Sequence, residues 1–202
     1  MQTARIAILI SGRGSNMIAL SKAVARGEVP GAEIVLVVSD KPRAAGLNAA
    51  SELGLKTLVV ERRGRSREEH EAEIISALRA RKVDLVCLAG YMRLLSSCFI
   101  EAFPHRILNI HPSLLPAFPG LDAHRQALAH GVKFSGCTVH FVDDTLDGGP
   151  IIAQRVVPVL DDDSEETLSA RILEEEHSVY AQALRLVVSR DYEIVGRRVV
   201  KK

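Results

Sequence analysis

Residues 4 to 16 constrain the fold of this 202-residue chain more than any other stretch. Ala4-Arg5-Ile6-Ala7-Ile8-Leu9-Ile10 is a mostly continuous apolar run, too short for a helix, and it ends in Ser11-Gly12-Arg13-Gly14-Ser15-Asn16. Such a run reads as a strand buried on both faces, as in parallel sheets covered by helices. Met17, Leu20, Ala23 and Val24 then recur at helical spacing, so the turn opens a helix with Ser15 or Asn16 as its cap. Glycines ahead of a helix amino terminus let the backbone approach closely and aim N–H groups at an anion, which the helix dipole also favours. The dinucleotide fingerprint would need a third glycine where Met17 stands, and no Gly-Lys-Ser/Thr follows. A single phosphate, as on a mononucleotide or sugar phosphate, fits that turn; an ordinary tight βα turn is the alternative.

Strand and helix go on alternating, without an internal sequence repeat. A second strand at Ile34 to Val38, a helix through Leu47 and Leu53, and a third strand at Thr57 to Val60 complete βαβαβ, the pattern of an α/β fold with a mostly parallel, Rossmann-like sheet. Ser66 and Glu69 form a capping box for a helix to about Ala80 and place Arg67 in its first turn, where a cation mildly opposes the dipole. The fourth strand, Leu85 to Ala89, runs into Gly90-Tyr91-Met92-Arg93-Leu94-Leu95. That connection is apolar enough to line a pocket for a flat ligand, unless it simply packs into the core. Ser96 or Ser97 caps a short helix, and the chain returns at Ile107-Leu108-Asn109-Ile110-His111-Pro112. Asn109 and His111, two apart on an extended backbone, share one face, and Pro112 ends the strand. They stand at the carboxyl end, where ligands of open α/β sheets sit.

Asp122 is expected to cap a helix to about His130, and Cys137 to Val142 alternates like a half-exposed strand. An acidic loop, Asp143 to Pro150, links it to a strand at Ile151 to Val157, antiparallel because the loop is short. Ser164 opens the longest helix, with an apolar stripe of Leu168, Ile172, Val179 and Leu186; Glu174 to Glu176 read as a solvated face. Residues 193 to 200 read as a hairpin about Gly196. The expected architecture is three layers, with helices on both faces of a mostly parallel sheet and an antiparallel carboxy-terminal portion, in a single domain over residues 1–202.

Composition excludes several functions. Lysine and arginine number 26 against 25 acids, a net charge of +1, which gives no electrostatic footprint for nucleic acid or an anionic membrane. Cys87, Cys98 and Cys137 are scattered without a C-x-x-C pair, which argues against a disulfide framework or a thiolate zinc site. His111, His124, His130 and His140 match no compact metal-ligand spacing. Without a membrane-length apolar run or a signal-peptide pattern, a cytoplasmic protein acting on small molecules is expected.

Asn109, His111 and Asp147 supply a neutral donor, a switchable donor and a carboxylate, a set suited to attack on a carbonyl. Asn109 and protonated His111 could donate to the oxyanion as it forms, one such donor being worth about 100- to 1000-fold in rate. Asp147 would keep His111 protonated and oriented, or relay a proton through water. No serine or cysteine stands beside a base, so a substrate supplies the nucleophile.

The chain resembles the phosphoribosylglycinamide formyltransferases of the 10-formyltetrahydrofolate-using family. The matching stretches are Ile10 to Asn16, Leu88 to Arg93, Leu108 to Pro116, Pro119 to Leu121, His124 to Leu128 and Leu146 to Pro150. The resemblance implies the formyltransferase fold and transfer of a formyl group from 10-formyltetrahydrofolate, as co-substrate, to the amine of glycinamide ribonucleotide in purine biosynthesis, without a metal. By the same resemblance Gly14, Ser15 and Asn16 hold the phosphate and Glu176 the ribose. Arg67, Met92, Arg93, Leu94 and Leu95, with Asn109 and the loop Val142, Asp143, Asp144 to Asp147, surround the folate, and Asn109, His111 and Asp147 are catalytic. Asp122 departs from relatives that carry histidine there, and Arg13 falls at a variable position and receives no role. A related formyltetrahydrofolate hydrolase is the nearest rival, a metal hydrolase or a nucleotide-phosphate sensor more remote ones. The expected assembly is a monomer or homodimer.

Overall fold

The computed structural model describes residues 3–202. A nine-stranded sheet of order β3-β2-β1-β4-β5-β6-β7-β9-β8 runs through it. The elements follow in the order β1 (Ala4–Ile10), α1 (Ser15–Ala25), β2 (Ala32–Ser39), α2 (Ala45–Glu52), β3 (Thr57–Val59), α3 (Arg67–Ala80), β4 (Leu85–Leu88) and α4 (Ser97–Ala102). They continue with β5 (Ile107–His111), α5 (Ala123–Ala129), β6 (Phe134–Phe141), β7 (Ile151–Pro158), α6 (Glu165–Ser189), β8 (Tyr192–Val195) and β9 (Arg198–Lys201). β3, β2, β1, β4 and β5 are parallel to their neighbours, and β6 and β7 are then added antiparallel. The hairpin β8–β9 joins β7 through a parallel bridge at Ile151 and Arg198.

Strand alternation builds two cores. Ile6, Ile8, Ile10, Cys87, Leu108 and Val139 pack toward α1 and α6, while Ala7, Leu9, Val86, Leu88 and Ile107 pack toward Ile74 and Leu78 of α3 and Phe99 of α4. Each aliphatic side chain fully buried this way contributes about 1.5–3 kcal/mol. α6 is pinned across the sheet by Tyr180, whose hydroxyl lies 3.1 Å from the carbonyl oxygens of both Leu88 and Leu108. The capping box of Ser66 and Glu69 forms as read, and Ser96 rather than Ser97 caps α4.

Five local expectations are corrected. β6 is buried along seven of its eight residues, not half-exposed. It lies between β5 and β7, with helices over one face and the loops after β5 and β6 over the other. Neither Ser15 nor Asn16 caps α1: Gly14 occupies the cap with φ 75° and no side-chain bond, because Asn16 turns inward to Glu176. Asp122 stands at the α5 cap with φ 58° but makes no capping bond, its carboxylate binding Arg125 instead. The stripe of α6 continues through Ala183, Leu184 and Val187, leaving Leu186 half-buried. In the Glu174 to Glu176 run, Glu174 is exposed and Glu176 buried.

Candidate active site

Leu108 and Ile110 point to the α6 face of β5, so Asn109 and His111 point to the opposite face. There the loops after β5 and β6 close over them, with Phe118 O and the Asp147 carboxylate against His111. Antiparallel pairing sets His140 directly across from Asn109 and Thr138 across from His111. Four polar side chains thus share one patch of sheet at the carboxyl end of β5.

Each is held by a distinct bond. Nδ1 of His140 lies 2.8 Å from the carbonyl oxygen of Phe141, and burial lowers its pKa, with the Phe141 carbonyl and Asp147 opposing. The ring is therefore neutral, donates from Nδ1, and presents the Nε2 lone pair to Nδ2 of Asn109 at 3.2 Å. Nε2 of His111 lies 2.8 Å from the carbonyl oxygen of Phe118, an acceptor that makes Nε2 the donor. The loop carrying Phe118 is fixed by Thr138, whose hydroxyl donates to Ser113 O at 2.7 Å and accepts from Leu115 N at 3.0 Å.

Asp147 closes the patch from the loop after β6, in the left-handed region with φ 49°. Its Oδ2 accepts from Gly120 N at 2.8 Å and stands 3.4 Å from Nδ1 of His111, beyond the usual N–H···O range of about 2.7–3.2 Å. Its Oδ1 is 3.8 Å from Nε2 of His140. The loop folds back tightly because Gly149 lies against the sheet: a Cβ there would meet Phe141 O at 1.9 Å.

A second constellation lies at the carboxyl end of β1. Asn16 Nδ2 donates to Glu176 Oε2 at 2.7 Å, and Asn16 Oδ1 is buried without a protein partner. Burial raises the pKa of Glu176, partly offset by the Asn16 bond. Gly14 packs against α2, where a Cβ would come within 2.9 Å of Gly46 Cα; Ser15 beside it is partly exposed at the first turn of α1.

The residues assigned to folate are more dispersed. Met92 and Leu94 are 67% and 61% exposed, so the connection after β4 is not buried as a simple core turn. Leu95 and Val142 are half-buried, Asp144 is exposed, and Arg67 is exposed in the first turn of α3. Asp143 is used locally, accepting from Thr145 N at 2.9 Å. Arg93 turns into the fold, its Nε 2.6 Å from Asp40 Oδ2. His140 and Asp40 are the two residues that sequence reasoning missed. Alternation in β6 puts His140 on one face with Thr138, but the long-range register that sets it across from Asn109 is seen only in the fold. Nothing in the local sequence marks Asp40.

Among the described residues no group of three or more His, Cys, Asp or Glu is placed to hold a metal ion, and no helix is long and apolar enough to cross a membrane. Burial pushes the thiols of Cys87 and Cys137 up to about 12, which leaves neither as a nucleophile at neutral pH.

The sequence profile of the formyl transferase family matches residues 4–184. The trifunctional purine biosynthetic protein adenosine-3 of Drosophila melanogaster is 48% identical over 188 residues, covering 92% of this chain and 14% of that protein; the chain thus spans about a seventh of that relative's length. The phosphoribosylglycinamide formyltransferase of Escherichia coli is 44% identical, with 87% of this chain and 82% of that one covered. The crystal structure of glycinamide ribonucleotide transformylase 1 from Symbiobacterium toebii superposes with a TM-score of 0.96 at 50% identity, covering 98% and 94% of the two chains. A formyltetrahydrofolate deformylase from Pseudomonas syringae shares the fold at 28% identity and a TM-score of 0.92, but 66% of it is covered. The chain belongs to the formyl transferase family, on its phosphoribosylglycinamide formyltransferase branch.

Proposed function

We propose that this chain, acting as a single formyltransferase domain, transfers the formyl group of 10-formyltetrahydrofolate to the primary amine of glycinamide ribonucleotide in purine biosynthesis. The observation that supports this reading is the convergence of Asn109, His111 and Asp147 at the carboxyl end of β5, where among the described residues no serine, threonine or cysteine side chain is bonded to His111 or Asp147. The ribonucleotide's amine attacks the formyl carbon, the C–N bond forms and the carbonyl electrons move to oxygen. Asn109 has one N–H given to His140 and a second left to stabilise that oxyanion. With Nε2–H of His111 given to Phe118, Nδ1 is left in the gap facing Asp147, where it is the ring atom that can carry a proton to the oxyanion. As the bond from carbon to N10 breaks, the proton lost by the attacking amine passes to N10 through the His111–Asp147 pair or a water held there.

The amino terminus of α1, at Gly14 to Asn16, receives the phosphate. Glu176 accepts from the ribose hydroxyls, and Asn16 Oδ1 offers a further acceptor. Met92, Leu94 and Leu95, with Arg67 and the loop Val142 to Asp147, form the donor side, an apolar wall beside charged and polar groups. The assembly proposed for the chain is a monomer or a homodimer.

The test follows 10-formyltetrahydrofolate consumption with and without glycinamide ribonucleotide. Consumption that requires the ribonucleotide and yields its N-formyl product is expected. Release of formate at the same rate without the ribonucleotide would assign the chain to donor hydrolysis instead.

A further inference from the structure

Asp40 follows directly on the carboxyl end of β2 and takes no part in the chemistry above. Its side chain is 2% exposed, and Oδ2 accepts a 2.6 Å bond from Nε of Arg93, whose side chain is 31% exposed. Strands β2 and β4 are separated by β1 in the sheet, so the pair reaches over the end of β1. There Ser11 adds two bonds to the same loop: its N donates to Gly90 O at 3.1 Å, and its hydroxyl accepts from Met92 N at 3.0 Å. At the far end, Ser96 N lies 3.1 Å from both carboxylate oxygens of Glu71, and the Ser96 hydroxyl donates to the same group.

Between these anchors stand Met92 and Leu94, both largely in solvent. A loop free to relax would turn two such side chains inward, because exposing them is unfavourable. A carboxylate this buried is costly unless it is paired, and pairing with a guanidinium is the strong form of that bond. Tyr91 is buried beside the pair with its hydroxyl unpartnered. Burial first, then the negative charge of Asp40, raises its pKa, with Arg93 opposing; it therefore stands as a neutral phenol.

The geometry points to Asp40 as a positioning residue for the formyl donor: through Arg93 it fixes the Met92–Leu95 loop so that Met92 and Leu94 present an apolar wall to the donor's flat ring system. This rests on the reading that the loop faces the donor. Arg93 then serves the donor by holding the loop, through the Nε bond to Asp40.

The experiment compares Asp40→Ala, Arg93→Ala and the double variant in the whole chain, by steady-state kinetics and by amide hydrogen exchange at Met92 to Leu95. Each single variant should raise the KM for 10-formyltetrahydrofolate about tenfold, while kcat and the ribonucleotide KM stay within about twofold. The double variant should be no worse than either single one, since both remove the same contact. Exchange at the loop should quicken, and Arg93→Lys, which keeps a cation near Asp40, should recover part of the donor KM. Should Asp40→Ala fail to fold, the half-exposed Arg93→Ala carries the test. Equal rises in both KM values, a fall confined to kcat, or additive single effects would overturn the proposal. Unchanged exchange would mean that Asp40 is no anchor, and quickened exchange with an unmoved donor KM would mean that the loop does not serve the donor. A wild-type chain with no use for 10-formyltetrahydrofolate would instead refute the function reading, which the exchange measurement does not depend on.

Discussion

Asn109 Nδ2 lies 3.2 Å from Nε2 of His140, its partner across the β5–β6 ladder. Because the Nδ1 of His140 is committed to the Phe141 carbonyl, the Asn109 amide is held in one orientation, with a single N–H left over. Asn109→Ala should lower kcat by about 100-fold or more, with both KM values near normal. His140→Ala, which only frees the amide to rotate, should cost about tenfold in kcat and add little to Asn109→Ala. Steady-state kinetics on the three variants check this.

The same pair sets a pH dependence. Protonated His140 would present a second donor to the Asn109 donor and break the bond. Its pKa is lowered, chiefly by burial, so that loss falls below the ordinary imidazole value of about 6.5. The unfolded chain takes up its proton near that value and the folded chain only at lower pH. The contribution to stability is therefore fully present above pH ~6.5 and is lost as pH falls through the window between the two pKa values. The drop in Tm between pH 7.5 and 5.5 should be smaller in His140→Gln than in wild type. An equal drop would show that His140 does not titrate this way.

Glu176→Gln should separate stability from binding. Burial raises the pKa of Glu176, so its charge is held at a cost, while glutamine keeps an acceptor for Asn16 without that charge. Tm should hold or rise, and the ribonucleotide KM should increase by about tenfold or more as a charged acceptor is lost. In wild type that KM should climb as pH falls through a value above the ordinary carboxylate range; in Glu176→Gln the climb should vanish.

The glycine turn calls for two substitutions of opposite sign. Gly14 adopts φ 75° against Gly46, so Gly14→Ala should lower stability by about 1–3 kcal/mol whatever the ligand. Ser15→Asp places a carboxylate at the start of α1, which favours the helix by about 0.3–1 kcal/mol. The same charge repels a phosphate, so Tm should hold while the ribonucleotide KM rises and the donor KM does not.

Short-range pattern carried the parallel half of the sheet. The run from Ile6 to Ile10, the capping box at Ser66 and the proline after His111 each follow from neighbours in sequence, and so does the shared face of Asn109 and His111. Long-range pairing was harder to see. The alternation of Thr138 and His140 suggested one wet face, but the loops that carry Phe118 and Asp147 close over it, and only the folded chain shows that His140 meets Asn109. Asn16 resembles a helix cap until Glu176, 160 residues away, takes its amide. Nor does the sequence show that Arg93 bonds through Nε to Asp40, 53 residues away.

The central claim is that Asn109 stabilises the transition state of formyl transfer to the ribonucleotide. Its most direct test is single-turnover transfer of an isotopically labelled formyl group from 10-formyltetrahydrofolate to glycinamide ribonucleotide, with both ligands saturating, in wild type and in Asn109→Ala. The account predicts labelled N-formyl ribonucleotide from both proteins, formed about 100-fold or more slowly by Asn109→Ala, with ligand affinities near those of wild type. An unchanged single-turnover rate accompanied by weakened binding, or label released as formate in place of the product, would contradict it.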